Sequence, residues 1–518
     1  MKDRNRNGPE AHQDWERKLS GRPFIKSGFT SELEQKVRER VRMGGGHRRT
    51  YMRPAAAFVI VCALLLGGIM LRDNWKSSEN VPAYAADAPS ALRSDPLAAE
   101  GDIELKVYSQ NQDTVSFMSF IGNPFVIRHP GVHFTVVQPP RDGSVSSEDE
   151  LEKWIAGQKP DVIVTDSGTF GKLAQQGRLQ ALDAWINNDK FDLDGMFKPV
   201  TDTLRELGGG GQLYGLANSF DTAAIFVNKD LFERNGIALP EDGMTWDEVL
   251  ALAQRFAGTG TAGLIGPDLD NPFSLVQMAG TTEGLQPFNS DKLQATADTP
   301  AWAGLWAKVA DGVQQGWIYN APNPLKGKNY TIKQAAETDP FQNGKAAMRI
   351  GSSFYAYMLS QEQSGKKLNW ISVTEPVGKA RGDVSASFRL DTVYAVNAES
   401  ANSKAAWEFV KFVAGKELAR RINNMYSNVL ARESELKWLE PEQKEAFYKL
   451  KADPDFYAKK WSTDPVSMSG RSSFYNDGTR LMAEVAAGKL PVEKALEQVQ
   501  DSVQKALNSA AQKESGGG

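Results

Sequence analysis

The chain has 518 residues, of which 41% are hydrophobic and 24% are charged. This balance is typical of a globular protein with a substantial core, and it excludes disorder of the whole chain. The formal charge of −4 is unevenly distributed: residues 1–53 contain 14 Lys and Arg against 7 Asp and Glu, a net charge of +7, and the remainder carries −11. Residues 1–53 are therefore a basic arm that differs in kind from the body of the chain.

An apolar run without charged residues follows the arm at positions 54–71. As a helix it would be about 27 Å long at about 1.5 Å per residue, which is enough to span a bilayer. A buried core helix is the alternative, but such a helix normally has a polar stripe, which this run lacks. Arg48, Arg49 and Arg53 precede the run and place the arm in the cytoplasm. We predict a cytoplasmic arm at 1–53, a transmembrane helix at 54–71 and an extracellular linker at 72–100.

Retention of this anchor is a separate question. Ala83, Tyr84 and Ala85 have the small-x-small form of a signal-peptidase site, although they lie farther than usual from the apolar run. We favour an uncleaved signal anchor, and cleavage near Ala85 stays open. The only cysteine, Cys62, lies within the run, so the exterior forms no disulfide and depends on the size of its core.

Residues 101–518 alternate short apolar strands with helical periods, which predicts an α/β architecture with parallel sheets. Strands are predicted, in chain order, at 103–108, 132–137, 160–165, 223–227, 346–350 and 392–396. Helices are predicted at 170–179 with Gly177 as its cap, at 229–235 closed by Gly236, from Trp246 with Thr245 as N-cap, and at 405–413. A crossing between two lobes is predicted near residues 220–222.

Several of these segments, in this order and spacing, resemble the family 1 extracellular solute-binding proteins, the relatives of maltose-binding protein. The matching segments lie at 160–162, 173–183, 213–216, 228–237, 245–248, 341–348 and 407–417. One departure is Ala217, where relatives often have proline. The likeness covers roughly residues 101–510.

The resemblance implies a two-lobed, periplasmic-binding-protein-like (type II) α/β fold with hinge crossings, in which ligand is trapped between the lobes. The first lobe would comprise about 101–220 and 390–425, and the second about 223–388. Helices in 426–518 would span both lobes. We expect most of the shared residues to be structural: Gly177 and Gly344 at caps or turns, and Trp246, Phe409 and Phe412 in the core.

No nucleophile elbow, zinc-protease motif or phosphate-binding loop occurs in the sequence. His129 and His133 are spaced like paired metal ligands, but Pro130–Gly131 excludes a regular helix, and we predict exposed loop imidazoles. The three carboxylates at 189, 192 and 194 lack the spacing and terminal Glu of a calcium loop, and they suit a helix start and turns instead. We predict no catalytic residue, metal or cofactor, while a glycosidase stays open because only the spatial separation of carboxylates is diagnostic.

A saccharide needs aromatic platforms for its C–H faces and polar side chains for its hydroxyls. The resemblance places stacking aromatics at Phe354, Tyr355 and Tyr475, and polar groups follow predicted strands or the crossing. For each aromatic, core packing is the alternative, and for Arg389 it is an ion pair with a nearby acid. The predicted ligand-binding residues are Asn111, Asp166, Asp221, Phe354, Tyr355, Arg389, Asp391 and Tyr475.

These observations predict a membrane-anchored protein that captures a mono- or oligosaccharide outside the cytoplasm and delivers it to the permease subunits of an ABC importer. Its other contact would be membrane lipid, through the anchor, and no nucleic acid is expected. The alternative is a membrane sensor that signals to a cytoplasmic regulator through residues 1–53, since an importer subunit needs only an anchor.

Overall fold

The computed structural model describes residues 95–110, 112–140, 145, 148–361, 368–423, 428–452 and 464–516. The chain divides into two units, Met1–Leu92 and Arg93–Gly518, and all the described residues belong to the second. The predicted arm and transmembrane helix lie outside the described residues. Within the described ranges, no helix is both long and apolar enough to cross a membrane.

Strands are distributed along the whole body. In chain order they are β1 Ile103–Ser109, β2 Val132–Val137, β3 Val162–Thr165, β4 Gly215–Leu216, β5 Ser219–Phe220, β6 Ala223–Asn228, β7 Ala262–Ile265, β8 Phe288–Asn289, β9 Gln294–Ala295, β10 Ala346–Ser352, β11 Trp370–Thr374, β12 Val393–Val396 and β13 Val429–Leu430.

Helices connect most of these strands. In chain order they are α1 Thr114–Phe117, α2 Asn123–Arg128, α3 Glu148–Gln158, α4 Ser167–Gln175, α5 Asp183–Asn188, α6 Lys198–Leu207, α7 Lys229–Arg234, α8 Trp246–Gln254, α9 Phe273–Thr282, α10 Pro300–Gln314, α11 Ile332–Thr338, α12 Ser353–Ser360, α13 Ser403–Val413, α14 Lys416–Ile422, α15 Pro441–Lys444, α16 Pro465–Ala486 and α17 Val492–Gly516. A π-helical segment, Met118–Gly122, joins α1 to α2, and short 3₁₀ turns occur at Ala98–Glu100, Glu433–Glu435 and Glu445–Tyr448.

The first sheet has the strand order β2-β1-β3-β12-β4. The strand β1 runs parallel to β2 and β3, as the sequence predicts, whereas β12 is antiparallel to both β3 and β4. The second sheet, in the order β11-β6-β10-β7, is also mixed, because only the β10–β7 pair is parallel. The α/β prediction is confirmed, and its parallel sheets are corrected to mixed ones.

Local sequence signals account for several helix ends. Thr245 and Glu248 form a reciprocal capping box at the start of α8, and Asn228 caps α7. Gly177 (φ 70°) and Gly236 (φ 62°) follow α4 and α7 in the left-handed conformation that glycine adopts without a Cβ penalty. The predicted caps at Thr245, Gly177 and Gly236 are confirmed, as is the turn role of Gly344 (φ 69°).

Two hydrophobic cores support the two sheets. The first contains Phe409 and Phe412 of α13, and it continues onto one face of the second sheet through Phe226 and Trp370. The second covers the opposite face of that sheet and contains Trp246. The core roles predicted for Trp246, Phe409 and Phe412 are confirmed. Because α16 and α17 belong to the second core, this part of 426–518 packs with the second lobe.

The connections between the sheets pass through one aromatic cluster. Phe220, at the end of β5, stacks between Phe197 and Phe388 with centroid separations of 5.1 and 5.2 Å, and Tyr448 packs edge-on against it. Beside this cluster, β5 pairs with β13, and the backbone of Asp221 forms a bridge with Arg389. The crossing that the sequence predicts near 220–222 therefore coincides with these strands.

Residues 95–100, which the sequence assigns to the linker, contact the body of the chain. Leu97 is buried, and Asp95 lies 2.6 Å from the Nδ1 atom of His129. This contact covers the imidazole, which is 1% exposed, so the expectation of an exposed His129 is wrong. His133 is 65% exposed, as predicted, and the two histidines belong to different elements, since α2 ends at Arg128.

Candidate functional site

The first sheet presents polar side chains where its strands end. Because β1 and β3 are parallel, their carboxyl ends share one edge, and Val393 at the start of β12 pairs with Thr165 at the same edge. Gln110, Asp166 and Asp391 therefore lie along that edge, and Gln110 contacts Asp166. Open α/β sheets bind ligands at such an edge. Asn111, another of the eight predicted ligand-binding residues, lies outside the described residues.

Asp166 is held firmly in place. One of its carboxylate oxygens accepts a hydrogen bond from the backbone of Thr169 at 2.9 Å and so caps α4, and the other accepts one from Gln110 Nε2 at 2.5 Å. Thr165 donates in turn to the amide oxygen of Gln110. Gln110 was not among the residues predicted from the sequence, although its position directly after β1 is typical of a ligand-binding residue.

Three predicted residues, Asp221, Arg389 and Asp391, come together at the crossing. Asp221 and Arg389 exchange backbone hydrogen bonds of 2.8 Å in both directions. The Arg389 guanidinium lies 3.4 Å from the Asp221 carboxylate and 2.5 Å from that of Asp391. We call Asp221, Arg389 and Asp391 the crossing cluster. The ion pair that the sequence left as an alternative for Arg389 is present, within the predicted site.

The crossing cluster also contacts the second lobe. Ser353, at the start of α12, donates to Asp221 Oδ1 at 3.1 Å. Burial raises the pKa of the Asp221 carboxyl; the charge of Arg389 opposes this shift and that of Asp391 adds to it. Two carboxylates and one guanidinium therefore meet where the two lobes join.

The adjacent aromatics at 354 and 355 have different environments. Phe354 is 48% exposed and stacks on Tyr357 with centroids 6.5 Å apart. Tyr355 is 5% exposed, its hydroxyl donates to Asp339 at 2.9 Å, and Arg349 lies 4.1 Å from its ring centroid. The ring of Phe354 is open to solvent, whereas the contacts of Tyr355 favour the packing alternative.

Tyr475 projects from α16 with 39% of its surface exposed. Its hydroxyl lies 3.3 Å from the Nδ2 atom of Asn271, a buried residue that also reaches Thr479 at 3.2 Å. The preceding Phe474 is buried against Phe273 and Trp302. The protein therefore holds the hydroxyl of Tyr475 and the preceding residue, Phe474, while the ring of Tyr475 remains open to solvent.

A second acidic group follows β7 and was not predicted from the sequence. Asp270 lies 2.9 Å from Lys326 Nζ, and burial raises the pKa of Asp268, with Asp270 adding to the shift. We call Asp268, Asp270 and Lys326 the loop cluster. Because β7 is parallel to β10, the loop lies at the sheet edge where β10 ends and Phe354 follows. Carboxylates directly after an apolar strand were the available signal.

A cavity of about 370 Å³ lies elsewhere, between α10 and the turn that joins α16 to α17. Leu490, Pro491 and Val492 line one side of it, and Ala310 and Gln314 line the other. None of the predicted ligand-binding residues contributes to it. We locate the candidate site at the strand ends, since aromatic and polar groups converge there and this cavity has no aromatic lining.

The carboxylates at 189 and 192 serve structural contacts. Asp189 accepts a hydrogen bond from Trp407 Nε1 at 2.8 Å, and Asp192 pairs with Lys416 at 2.8 Å, which lowers the pKa of Asp192. Among the described residues, no group of three or more His, Cys, Asp and Glu side chains is arranged to hold a metal ion.

Two mixed sheets, two cores and a polar edge at the crossing define a ligand-binding protein of the two-lobed type. The family described as "Bacterial extracellular solute-binding protein" matches residues 109–419. The chain belongs to this family. A protein of Brucella abortus (strain 2308) named as a binding protein is 22% identical over 329 residues, which cover 62% of this chain and 74% of that protein.

Solved structures show the same fold. A sugar transporter from Rhizobium etli in an open conformation matches with a TM-score of 0.52 and 20% identity, over 78% of this chain and 99% of that one. The sugar-binding protein MalE of Xanthomonas citri gives 0.54 and 16%, covering 79% and 98%. A family 1 extracellular solute-binding protein from Alicyclobacillus acidocaldarius gives 0.55 and 15%, covering 79% and 99%.

Proposed function

We propose that the chain captures a carbohydrate outside the cytoplasm and delivers it to the permease subunits of an ABC importer. The observation that carries this proposal is that the second lobe has two exposed aromatic rings, those of Phe354 and Tyr475. The crossing cluster of polar side chains contacts the same lobe. An aromatic face accepts the C–H surface of a sugar ring, while nearby carboxylates accept hydrogen bonds from its hydroxyls.

Two further facts support a saccharide. The Rhizobium etli and Xanthomonas citri proteins with this fold are named for sugars, and the family is one of solute-binding proteins. The predicted residues Asp166, Asp221, Asp391 and Arg389 supply acceptors and a donor at strand ends or the crossing. We propose binding without chemistry, and we retain Asn111 and Tyr355 as candidate contacts from the sequence.

A thermal-shift screen tests the proposal. Full-length protein in mild detergent is heated with neutral mono- and oligosaccharides, and with amino acids, peptides and polyamines for comparison. A ligand that binds only the native state stabilises it by about 2.7 kcal/mol at 100 times its Kd, so a saccharide should raise Tm. A rise with peptides or polyamines alone would contradict the proposal, and cleavage of the saccharide would favour a glycosidase.

We further propose that the chain stays attached to the membrane through residues 54–71, with its N-terminus in the cytoplasm. The charge-free run and the preceding arginines support this topology. Protease added to intact cells should digest the body and spare residues 1–53. Recovery of the body from the medium with a new N-terminus near Ala86 would show cleavage instead of retention.

A sensor is the second candidate, and the net charge of +7 on residues 1–53 is the observation that favours it. In that case the arm would contact a cytoplasmic regulator. Deletion of residues 1–43 distinguishes the two functions. An importer subunit should keep its saccharide uptake without the arm, whereas a sensor should keep binding but lose its ligand-dependent transcriptional response.

A further inference from the structure

The crossing cluster and the loop cluster share one charge arrangement. Each places two carboxylates around one cation: Asp221 and Asp391 around Arg389, and Asp268 and Asp270 beside Lys326. Each cluster therefore has a net charge of about −1 at neutral pH. Both clusters lie at the edge of the second sheet where β7 and β10 end and β6 begins. Asp221 of the crossing cluster precedes β6, and the loop cluster's carboxylates follow β7.

The cations of both clusters are already engaged. Arg389 contacts two carboxylates, at 3.4 and 2.5 Å, and Lys326 contacts Asp270 at 2.9 Å. An anionic ligand that approaches one of these cations also meets the carboxylates that already surround it, and they repel it. A neutral hydroxyl meets no such penalty, because it donates to a carboxylate oxygen and forms a charge-assisted hydrogen bond.

Resting on the proposed capture of a carbohydrate, we propose that the crossing and loop clusters select uncharged saccharides and reject those that carry carboxylate or phosphate groups. The residues that determine this specificity are Asp391 and Asp268, the second carboxylate of each cluster. Removing either one leaves a neutral ion pair and should relax the rejection.

The environment of each cluster strengthens the effect. Burial raises the pKa of Asp221 and of Asp268, and in each case a neighbouring carboxylate adds to the shift. Burial disfavours negative charge at both positions and the neighbouring carboxylate adds to this, so a further negative charge brought by a ligand is unfavourable there. Partly buried charges are also screened less by salt than exposed ones.

The rival explanation is that these ion pairs only hold loops together and leave ligand choice to shape. Matched probes separate the two. The neutral trisaccharides maltotriose and cellotriose are compared with their C6-oxidised counterparts, in which the hydroxymethyl groups are carboxylates but rings and linkages are unchanged. Binding to full-length protein is measured by calorimetry at about 20 mM and about 500 mM salt.

We expect the wild-type protein to bind an oxidised trisaccharide at least about tenfold more weakly than its neutral counterpart at low salt, with a smaller ratio at high salt. Asp391→Asn and Asp268→Asn should each reduce that ratio about threefold or more. The control Asp311→Asn removes the same charge from α10, beside the separate 370 Å³ cavity, and should leave the ratio unchanged. Circular dichroism confirms that each variant is folded.

Two results overturn the inference while the proposed function stands: an oxidised trisaccharide bound as tightly as the neutral one, or a ratio that neither Asn variant changes. If neither the neutral nor the oxidised forms nor any other saccharide of the screen binds, carbohydrate capture is wrong and this inference falls with it. The two failures are therefore distinguishable.

Discussion

The neighbours of Tyr475 and Phe354 determine which part of each side chain a ligand could contact. The hydroxyl of Tyr475 already has a partner in the buried amide of Asn271, whereas its ring is exposed. Phe354 has only the stacked ring of Tyr357 among its described aromatic contacts. The two aromatic side chains therefore differ in their contacts, and for Tyr475 the ring and the hydroxyl can be tested separately.

This separation gives the first prediction. Tyr475→Ala should weaken saccharide binding about tenfold, equivalent to about 1.4 kcal/mol, because the stacking face is lost. Tyr475→Phe, the matched control, should weaken it less than about threefold, since only the hydrogen bond to Asn271 disappears. Isothermal calorimetry measures both. If the Phe variant is as weak as the Ala variant, the hydroxyl and not the ring makes the contact.

The burial of individual side chains could be predicted from the sequence only in part. Consecutive helix residues point about 100° apart, so of Phe354 and Tyr355 one can face the core. Which one does so depends on Asp339 and Arg349, partners that no local pattern identifies. The burial of His129 has the same origin, because its partner Asp95 is 34 residues away.

At the scale of elements, one carboxylate connects three segments. Asp247, in the first turn of α8, lies 2.7 Å from Lys308 of α10 and 2.5 Å from Lys379, which follows β11. The hydrogen bonds from Lys308 and Lys379 lower the pKa of Asp247 to about 2. The helix N-terminus also favours a negative charge at this position.

The sign of the pH effect follows from this lowered pKa. A carboxyl with a lower pKa in the folded state stabilises the fold above its unfolded pKa of about 3.9, and this contribution is lost as the pH falls towards 2. Asp247→Asn should lower Tm by about 1–2 °C at pH 7, because the ion pairs are half-exposed and screened by solvent.

The difference in Tm should decrease from pH 5 to pH 3 and should also be smaller in 0.5 M salt. Differential scanning calorimetry of the variant and the wild type provides the measurement, with Asp311→Asn as the control for the loss of one charge. A difference that is independent of pH would mean that Asp247 acts through packing and not through its charge.

Elements with a local signature were predictable. The capping box of Thr245 and Glu248 and the glycine at 236 specify their helix ends from neighbouring residues alone. The direction of β12 was not predictable, because its antiparallel partner β3 lies more than two hundred residues earlier in the chain. Two-residue strands such as β5 and β13 are too short to show any period.

At the scale of the whole molecule, the first core and the crossing are continuous. The stacked rings of Phe197, Phe220 and Phe388 join the first lobe to the strands that enter the second. Next to them, a buried polar network connects Thr222 with Ser385, and Ser385 donates to Glu375. Close packing on this scale resists gradual deformation and favours rotation between discrete arrangements.

The sequence predicted two lobes and their crossing because the family likeness covers both. It did not reveal that α16 and α17 pack into the second core, since an amphipathic pattern identifies an apolar face but not its partner. The location of Tyr475 on the second lobe follows from that packing. Both exposed aromatic rings of the candidate site thus belong to one lobe.

A ligand held between aromatic rings of the second lobe and the polar edge of the first can contact both only if the lobes approach each other. We therefore expect the saccharide found in the thermal screen to reduce the radius of gyration of the body, measured by small-angle X-ray scattering at saturating ligand. At a ligand concentration close to the wild-type Kd, Tyr475→Ala should show little compaction, and it should match the wild type only when the ligand is raised about tenfold. Tight binding by the wild-type protein with an unchanged scattering profile would show that the lobes are fixed and that the ligand occupies one of them alone.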